Sequence, residues 1–249
     1  MSGFLCRFDS IQKLGSESKM KKQIGILLLL LVALTSRADL TNLTVTTPTL
    51  DAAVPDGNPV GLVSTVNVSG MSGVTASITV QLDITGGFNG DLYAYLLSPQ
   101  GSLVVLLNRV GMGSGNTFGY GDSGFNITLD SAAADNVHNY QNYSPTFSSG
   151  QLAGTWAPDT RTIDPQSVPS AFDPAGTGTS LADLNSLNPN GNWTLFIADL
   201  SAGGDSTLVS WGLTVVTVPE PQTWTLLGGG LAVVWFMTRK RRASFPPVR

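Results

Sequence analysis

Chemistry in this chain has to be done almost entirely by aspartate. Residues 39–217 contain fourteen aspartates, no glutamate and no lysine, and their two basic residues are Arg109 and Arg161. Fourteen carboxylates against two cations give that stretch a formal charge of −12. Hard divalent cations suit such a surface, since calcium takes several oxygen ligands from carboxylates and carbonyls that loops bring together. Asp91, Asp199 and Asp205 are the candidate calcium ligands because each is expected at a strand end or turn, and Asp130 and Asp135 flank a loop between them. No spacing matches an EF-hand. The alternative is that short aspartate side chains cap turns and keep an exported surface soluble, which needs no metal. Nucleic acid is excluded as a partner, because neutralising phosphates requires a basic footprint.

Nucleophilic catalysis is poorly provided for. The one cysteine is Cys6, so no disulfide or zinc site can be built. Gly121-Asp122-Ser123-Gly124 imitates the nucleophile loop of chymotrypsin-like proteases, but Phe125 stands where those enzymes place another glycine. The one histidine, His138, follows Ser123 in the chain, opposite to that family's order. The expectation is a Gly-rich turn and a solvated histidine, with no catalytic residues and no enzyme.

The elements that must position these residues read as strands. Residues 76–84 alternate, with Ile78, Val80, Leu82 and Ile84 on one face and Ser77, Thr79, Gln81 and Asp83 on the other. Apolar runs at 92–97 and 103–107 flank Ser98-Pro99-Gln100-Gly101-Ser102, which predicts a hairpin. Runs at 193–200 and 208–216, joined by residues 201–206, predict a second pair. Trp193 and Trp211 fall at alternating positions and are expected in the core, whereas Trp156, Tyr140 and Tyr143 are expected as surface contacts. Residues 108–124 and 136–189 are rich in Gly, Pro and Ser and read as long surface loops. Short strands without helical period predict an all-β domain, a β-sandwich of jelly-roll type.

The two ends differ in character from this body. Lys21 and Lys22, the apolar run 24–34 and the small residues around Ser36-Arg37-Ala38 make residues 1–38 an N-terminal signal peptide for export; a retained anchor is the alternative. Met20 offers a second start that would leave residues 1–19 outside the functional protein. After Val218, Pro219-Glu220-Pro221 precedes an apolar stretch at 224–237 and then Arg239-Lys240-Arg241-Arg242. This predicts a short C-terminal hydrophobic helix, with the basic cluster and residues 243–249 on the cytoplasmic side.

Residues 218–242 are similar to PEP-CTERM sorting signals in the order of their three parts. That likeness implies an exosortase-type processing enzyme as a partner and a destination in the cell envelope, with either cleavage or retention of the tail. The body carries a second resemblance. Gly90-Asp91-Leu92, Leu96-Leu97-Ser98-Pro99 with Gly101, and Leu106-Leu107-Asn108-Arg109 resemble the first signature of the proprotein convertase P domain, also called P/Homo B. Gly191-Asn192-Trp193-Thr194-Leu195, Asp199, Gly204-Asp205, Leu208 and Trp211-Gly212-Leu213 resemble its closing signature. Gly86 stands where members of that family often carry histidine, and the segment 133–187 is longer than theirs.

The P-domain resemblance implies a galactose-binding-like jelly roll over residues 39–217 and includes calcium binders among its relatives. It also implies an association with subtilisin-like serine endopeptidases, whose catalytic domain has no counterpart here. The resulting expectation is an exported, non-catalytic binding module for an envelope protein or an exopolysaccharide. The alternative is an accessory acting in trans on a subtilisin-like protease.

Overall fold

The structure is a computed structural model and describes residues 40–218 together with 230 and 231. The expected signal peptide lies outside the described residues, as does nearly all of the expected hydrophobic helix, of which Gly230 and Leu231 are described and helical. Among the described residues no helix is long and apolar enough to cross a membrane.

The described body is all-β. Its strands are β1 (Thr41–Thr46), β2 (Ala52–Ala53), β3 (Leu62–Val68), β4 (Val74–Gly86), β5 (Leu92–Leu97) and β6 (Leu103–Asn108), followed by β7 (Phe125–Leu129), β8 (Thr146–Ser148), β9 (Gln151–Trp156), β10 (Gly191–Asp199) and β11 (Ser206–Val218). They form two sheets. The larger has the order β1-β11-β4-β7-β9-β8, with β2 also on β11, and the smaller has the order β3-β10-β5-β6. One apolar core draws on both, including Ile78, Val80, Leu82 and Ile84 from β4 and Leu92, Ala94 and Leu96 from β5. The alternation of β4 therefore does what its sequence requires: every second side chain leaves water, and the polar set between them stays on the outer face.

The predicted hairpin forms between β5 and β6. Ser98 closes its turn by accepting the Ser102 N–H at 3.0 Å through Oγ, and Gly101 adopts the positive φ of +87° that the turn needs. The second expected pair does not form. β10 lies between β3 and β5 in the smaller sheet, whereas β11 lies between β1 and β4 in the larger. Trp193, Leu195 and Ile197 on β10 and Trp211, Leu213 and Val215 on β11 all enter the core from opposite sheets. Alternation marks a buried face but says nothing about which strand lies alongside, so a crossover between sheets reads like a hairpin.

The long segments expected as surface loops are in fact partly interior. Val110 and Met112 are buried in the first, and Val137, His138, Tyr140, Leu152, Trp156, Asp159, Arg161 and Phe172 in the second. β9 runs parallel to β7, and the chain between them supplies the long crossover that a parallel pair demands. Beyond β9, Asp159 and Thr160 donate backbone N–H groups to Leu106 and Val105, covering β6. Tyr140 and Trp156 are thus core residues and not surface contacts, while Tyr143 is exposed. Trp193 and Trp211 are buried as expected, with indole N–H groups donated to Pro189 O and Ser64 Oγ, both at 2.8 Å.

Candidate functional site

Two polar clusters lie at one end of the strands of the smaller sheet, and each is built around a buried carboxylate. The first joins the two segments that carry the P-domain resemblance. Asp91 closes a short 3-10 turn (Asn89–Asp91) just before β5, and Asp199 ends β10, whose register sets it opposite Leu92. Asp91 O also accepts the Leu200 N–H at 2.9 Å. Arg109, which leaves β6 with a φ of +50°, reaches across the ends of both strands with its side chain. Its Nε donates to Gly90 O at 3.1 Å, and its Nη2 donates to Asp91 Oδ1 at 3.3 Å and Ser201 Oγ at 2.7 Å.

Electrostatics in this first cluster are unbalanced. Asp199 is fully buried and accepts Ser206 Oγ–H at 3.0 Å, with a longer contact from the Ser201 N–H at 3.4 Å. Burial pushes its carboxyl up to about 6 against those hydrogen bonds, and the negative charges of Asp91 and Asp56 add to the rise. Asp91 is also raised, first by burial, with Ser201 and Arg109 pulling the other way. Burial lowers Arg109, and the two aspartates hold it up.

Of the three expected calcium ligands, the fold brings Asp91 and Asp199 together and leaves Asp205 exposed on the following turn. Asp56 takes the third place, holding that turn by accepting the Gly203 N–H at 3.0 Å. The oxygens that would suit a hard cation here, those of Gly90, Asp91 and Ser201, are the ones Arg109 bonds. The guanidinium holds these oxygens and makes no hydrogen bond to the Asp199 carboxylate, whose donors are Ser206 and Ser201. Among the described residues no three His, Cys, Asp or Glu side chains converge as a metal site. Other aspartates act as turn caps: Asp130, Asp164 and Asp183 accept the backbone N–H groups of Ala132, Gln166 and Ser180.

The second cluster centres on Asp159, which the sequence reading passed over. Its Oδ2 accepts His138 Nδ1–H at 2.7 Å and the Asn108 N–H at 3.0 Å, and its Oδ1 accepts Arg161 Nη1–H at 2.8 Å. His138 Nε2 faces Met112 O at 3.0 Å. Both ring nitrogens therefore face protein oxygens. His138 is buried, not solvated as expected, and has no free nitrogen with which to take a proton from Ser123. Asp122, beside that serine, accepts the Tyr140 hydroxyl at 2.7 Å and Gln141 Nε2–H at 2.6 Å. One signal for both clusters was available in the sequence: a body with two cations and fourteen carboxylates will pair each arginine internally, and both Arg109 and Arg161 are so paired.

Comparison with known proteins adds one firm finding. Residues 217–242 match the PEP-CTERM protein-sorting motif, which marks the chain for exosortase-type sorting to the cell envelope. No curated protein matches the chain significantly. Among solved structures, the serine protease of Aeromonas sobria in complex with its chaperone is 15% identical with a TM-score of 0.38, covering 77% of this chain and 29% of that one. The same organism's serine protease, solved separately, is 14% identical with the same TM-score, covering 76% of this chain and 29% of that one. This chain thus spans under a third of the length of those proteases. At such scores the likeness decides neither fold family nor activity.

Proposed function

We propose that the body is a non-catalytic P-domain module with jelly-roll connections, delivered to the cell envelope to bind a partner there. The observation that carries this reading is the sorting motif, which begins at residue 217 within β11 and so follows directly on the domain it delivers. Support for the P-domain part comes from geometry. The segments resembling that family's two signatures, about a hundred residues apart, supply the adjacent strands β5 and β10, and Arg109 of the first bonds Ser201 next to the second. Support for a non-catalytic role comes from His138, whose nitrogens are both committed to structural acceptors. In this reading Arg109 takes the cation's place between Asp91 and Asp199, and calcium would have to displace it.

The test uses the full chain purified in mild detergent. It should lack peptidase activity on a broad peptide panel, with Ser123→Ala indistinguishable from wild type, and should be retained by material from the envelope of the cells that make it. Retention would then be lost on denaturing the body. If instead the chain altered the folding or activity of a subtilisin-like protease from the same cells and was not retained by envelope material, the accessory role would replace the binding module.

A further inference from the structure

The outer face of the larger sheet carries a groove of about 370 Å³, within the size range of small-molecule sites. Strand register sets its walls in rows across the sheet. In one row Ser210 lies opposite Asp83, and Asp83 opposite Asn126. In the next, Thr46 pairs with Gly212, Gly212 with Gln81, Gln81 with Thr128, and Thr128 with Thr155. Each step is one interstrand spacing, about 4.8 Å, commensurate with a single pyranose residue in an extended chain. Gly154, at a φ of +104°, lines the groove with backbone alone, and a Cβ there would meet nothing nearer than Trp156 Nε1 at 3.6 Å.

These side chains offer hydroxyls, amides and one carboxylate. Gln151 donates to Asp83 Oδ1 at 2.7 Å, and among the described residues no hydrogen bond reaches Asp83 Oδ2. Gln81 donates to Thr214 Oγ1 at 3.2 Å, and its other amide atom is buried without a partner. Charge narrows the ligand further. Arg109 and Arg161, the two basic residues of the body besides His138, are tied up in ion pairs, so its surface presents no cation to a phosphate, sulfate or uronate.

A competing patch on the smaller sheet, Tyr93, Tyr95 and Phe196, is aromatic. Tyr95 and Phe196 stack at 4.8 Å and 15° between planes with Tyr93 tilted against both, and the polar rows beside it, Thr65 with Thr194 and Asn67 with Asn192, are each two residues long with their side chains hydrogen-bonded to each other. We infer that the groove across β11, β4, β7 and β9 binds a neutral, hydroxyl-rich polysaccharide, lying across the strands. This rests on the binding-module reading and names the ligand class and surface for it. Each hydrogen bond exchanged with water is weak, so affinity comes from several sugar residues engaged at once.

The experiment is affinity electrophoresis of the full chain, in mild detergent, through gels containing a soluble β-glucan, a galactomannan, dextran or alginate. At least one neutral polymer should retard it. Thr128→Arg and Thr155→Arg, which block the groove from the solvent side, should weaken retardation about tenfold with unchanged melting temperature. Phe196→Ser should retain it. The inference is overturned if no neutral polymer retards the chain, if alginate is preferred, or if Phe196→Ser abolishes retardation while the arginine variants keep it. Retention by envelope protein without any glycan binding would overturn the groove assignment and leave the binding-module reading standing.

Discussion

Asp159 and Asp199 are both fully buried aspartates at one end of the same small sheet, and their surroundings differ in one respect: the balance of charge. Asp159 has a guanidinium on one oxygen and an imidazole N–H with a backbone N–H on the other. Asp199 has a serine hydroxyl and a long backbone contact, shares Arg109 with Asp91, and feels Asp56 as well. The first carboxylate is saturated and joins three segments, β6, the 3-10 turn at Val137–Tyr143 and the chain after β9. The second is held in a region with more negative than positive charge and titrates far above an ordinary aspartate. A buried carboxylate can therefore be a brace or a proton-sensitive element, and its donors decide which.

The largest expected effect tests the brace. Asp159→Ala leaves His138, Arg161 and the Asn108 N–H without their acceptor in the interior, and breaking a buried pair in this way costs about 3–5 kcal/mol. Urea denaturation should show that loss, or no folded population at all. A variant as stable as wild type would remove the distinction between the clusters.

Next comes Arg109→Ala, which should cost about 1–3 kcal/mol near neutral pH by stripping charged hydrogen bonds from Asp91, Gly90 and Ser201. The cost should shrink near pH 5, where Asp199 takes up its proton. Millimolar calcium, with magnesium as control, should raise the melting temperature of this variant and leave wild type unmoved. A calcium-specific rise in wild type would show that the ion competes with the guanidinium, restoring Asp91 and Asp199 as ligands.

A smaller effect is the pH dependence of Asp199 itself. Its folded-state value, about 6, lies above the ordinary value of 3.8, so the folded state holds the proton more tightly. The stability this contributes is fully present below the ordinary value and is lost as pH rises through the folded one. Measured against Asp199→Asn, which cannot titrate, wild type should lose ground steadily across that interval in urea midpoints. A flat difference would place the proton elsewhere. The smallest effect is Ser206→Ala, which removes the hydroxyl donor to the ionised Asp199. It should move the midpoint of that profile upward and cost about 1 kcal/mol at neutral pH, with the cost absent in acid.

The sequence by itself determined the local elements and the destination. Alternation of Ile78, Val80, Leu82 and Ile84 dictated a strand with one buried face, Pro99 and Gly101 dictated the turn after β5, and the ordered parts after Val218 dictated sorting. Each is written in neighbouring residues, so periodicity and turn chemistry are enough to read it. Tertiary structure alone decided that β10 and β11 face each other across the core and do not pair, since both arrangements bury the same alternate side chains. It also decided that Asp56, and not Asp205, completes the Asp91 and Asp199 cluster, and that His138 meets Asp159 inside a segment that looks like a loop. Those contacts join residues far apart in the chain through backbone paths without periodicity, and composition carries no record of which distant donor reaches which carboxylate.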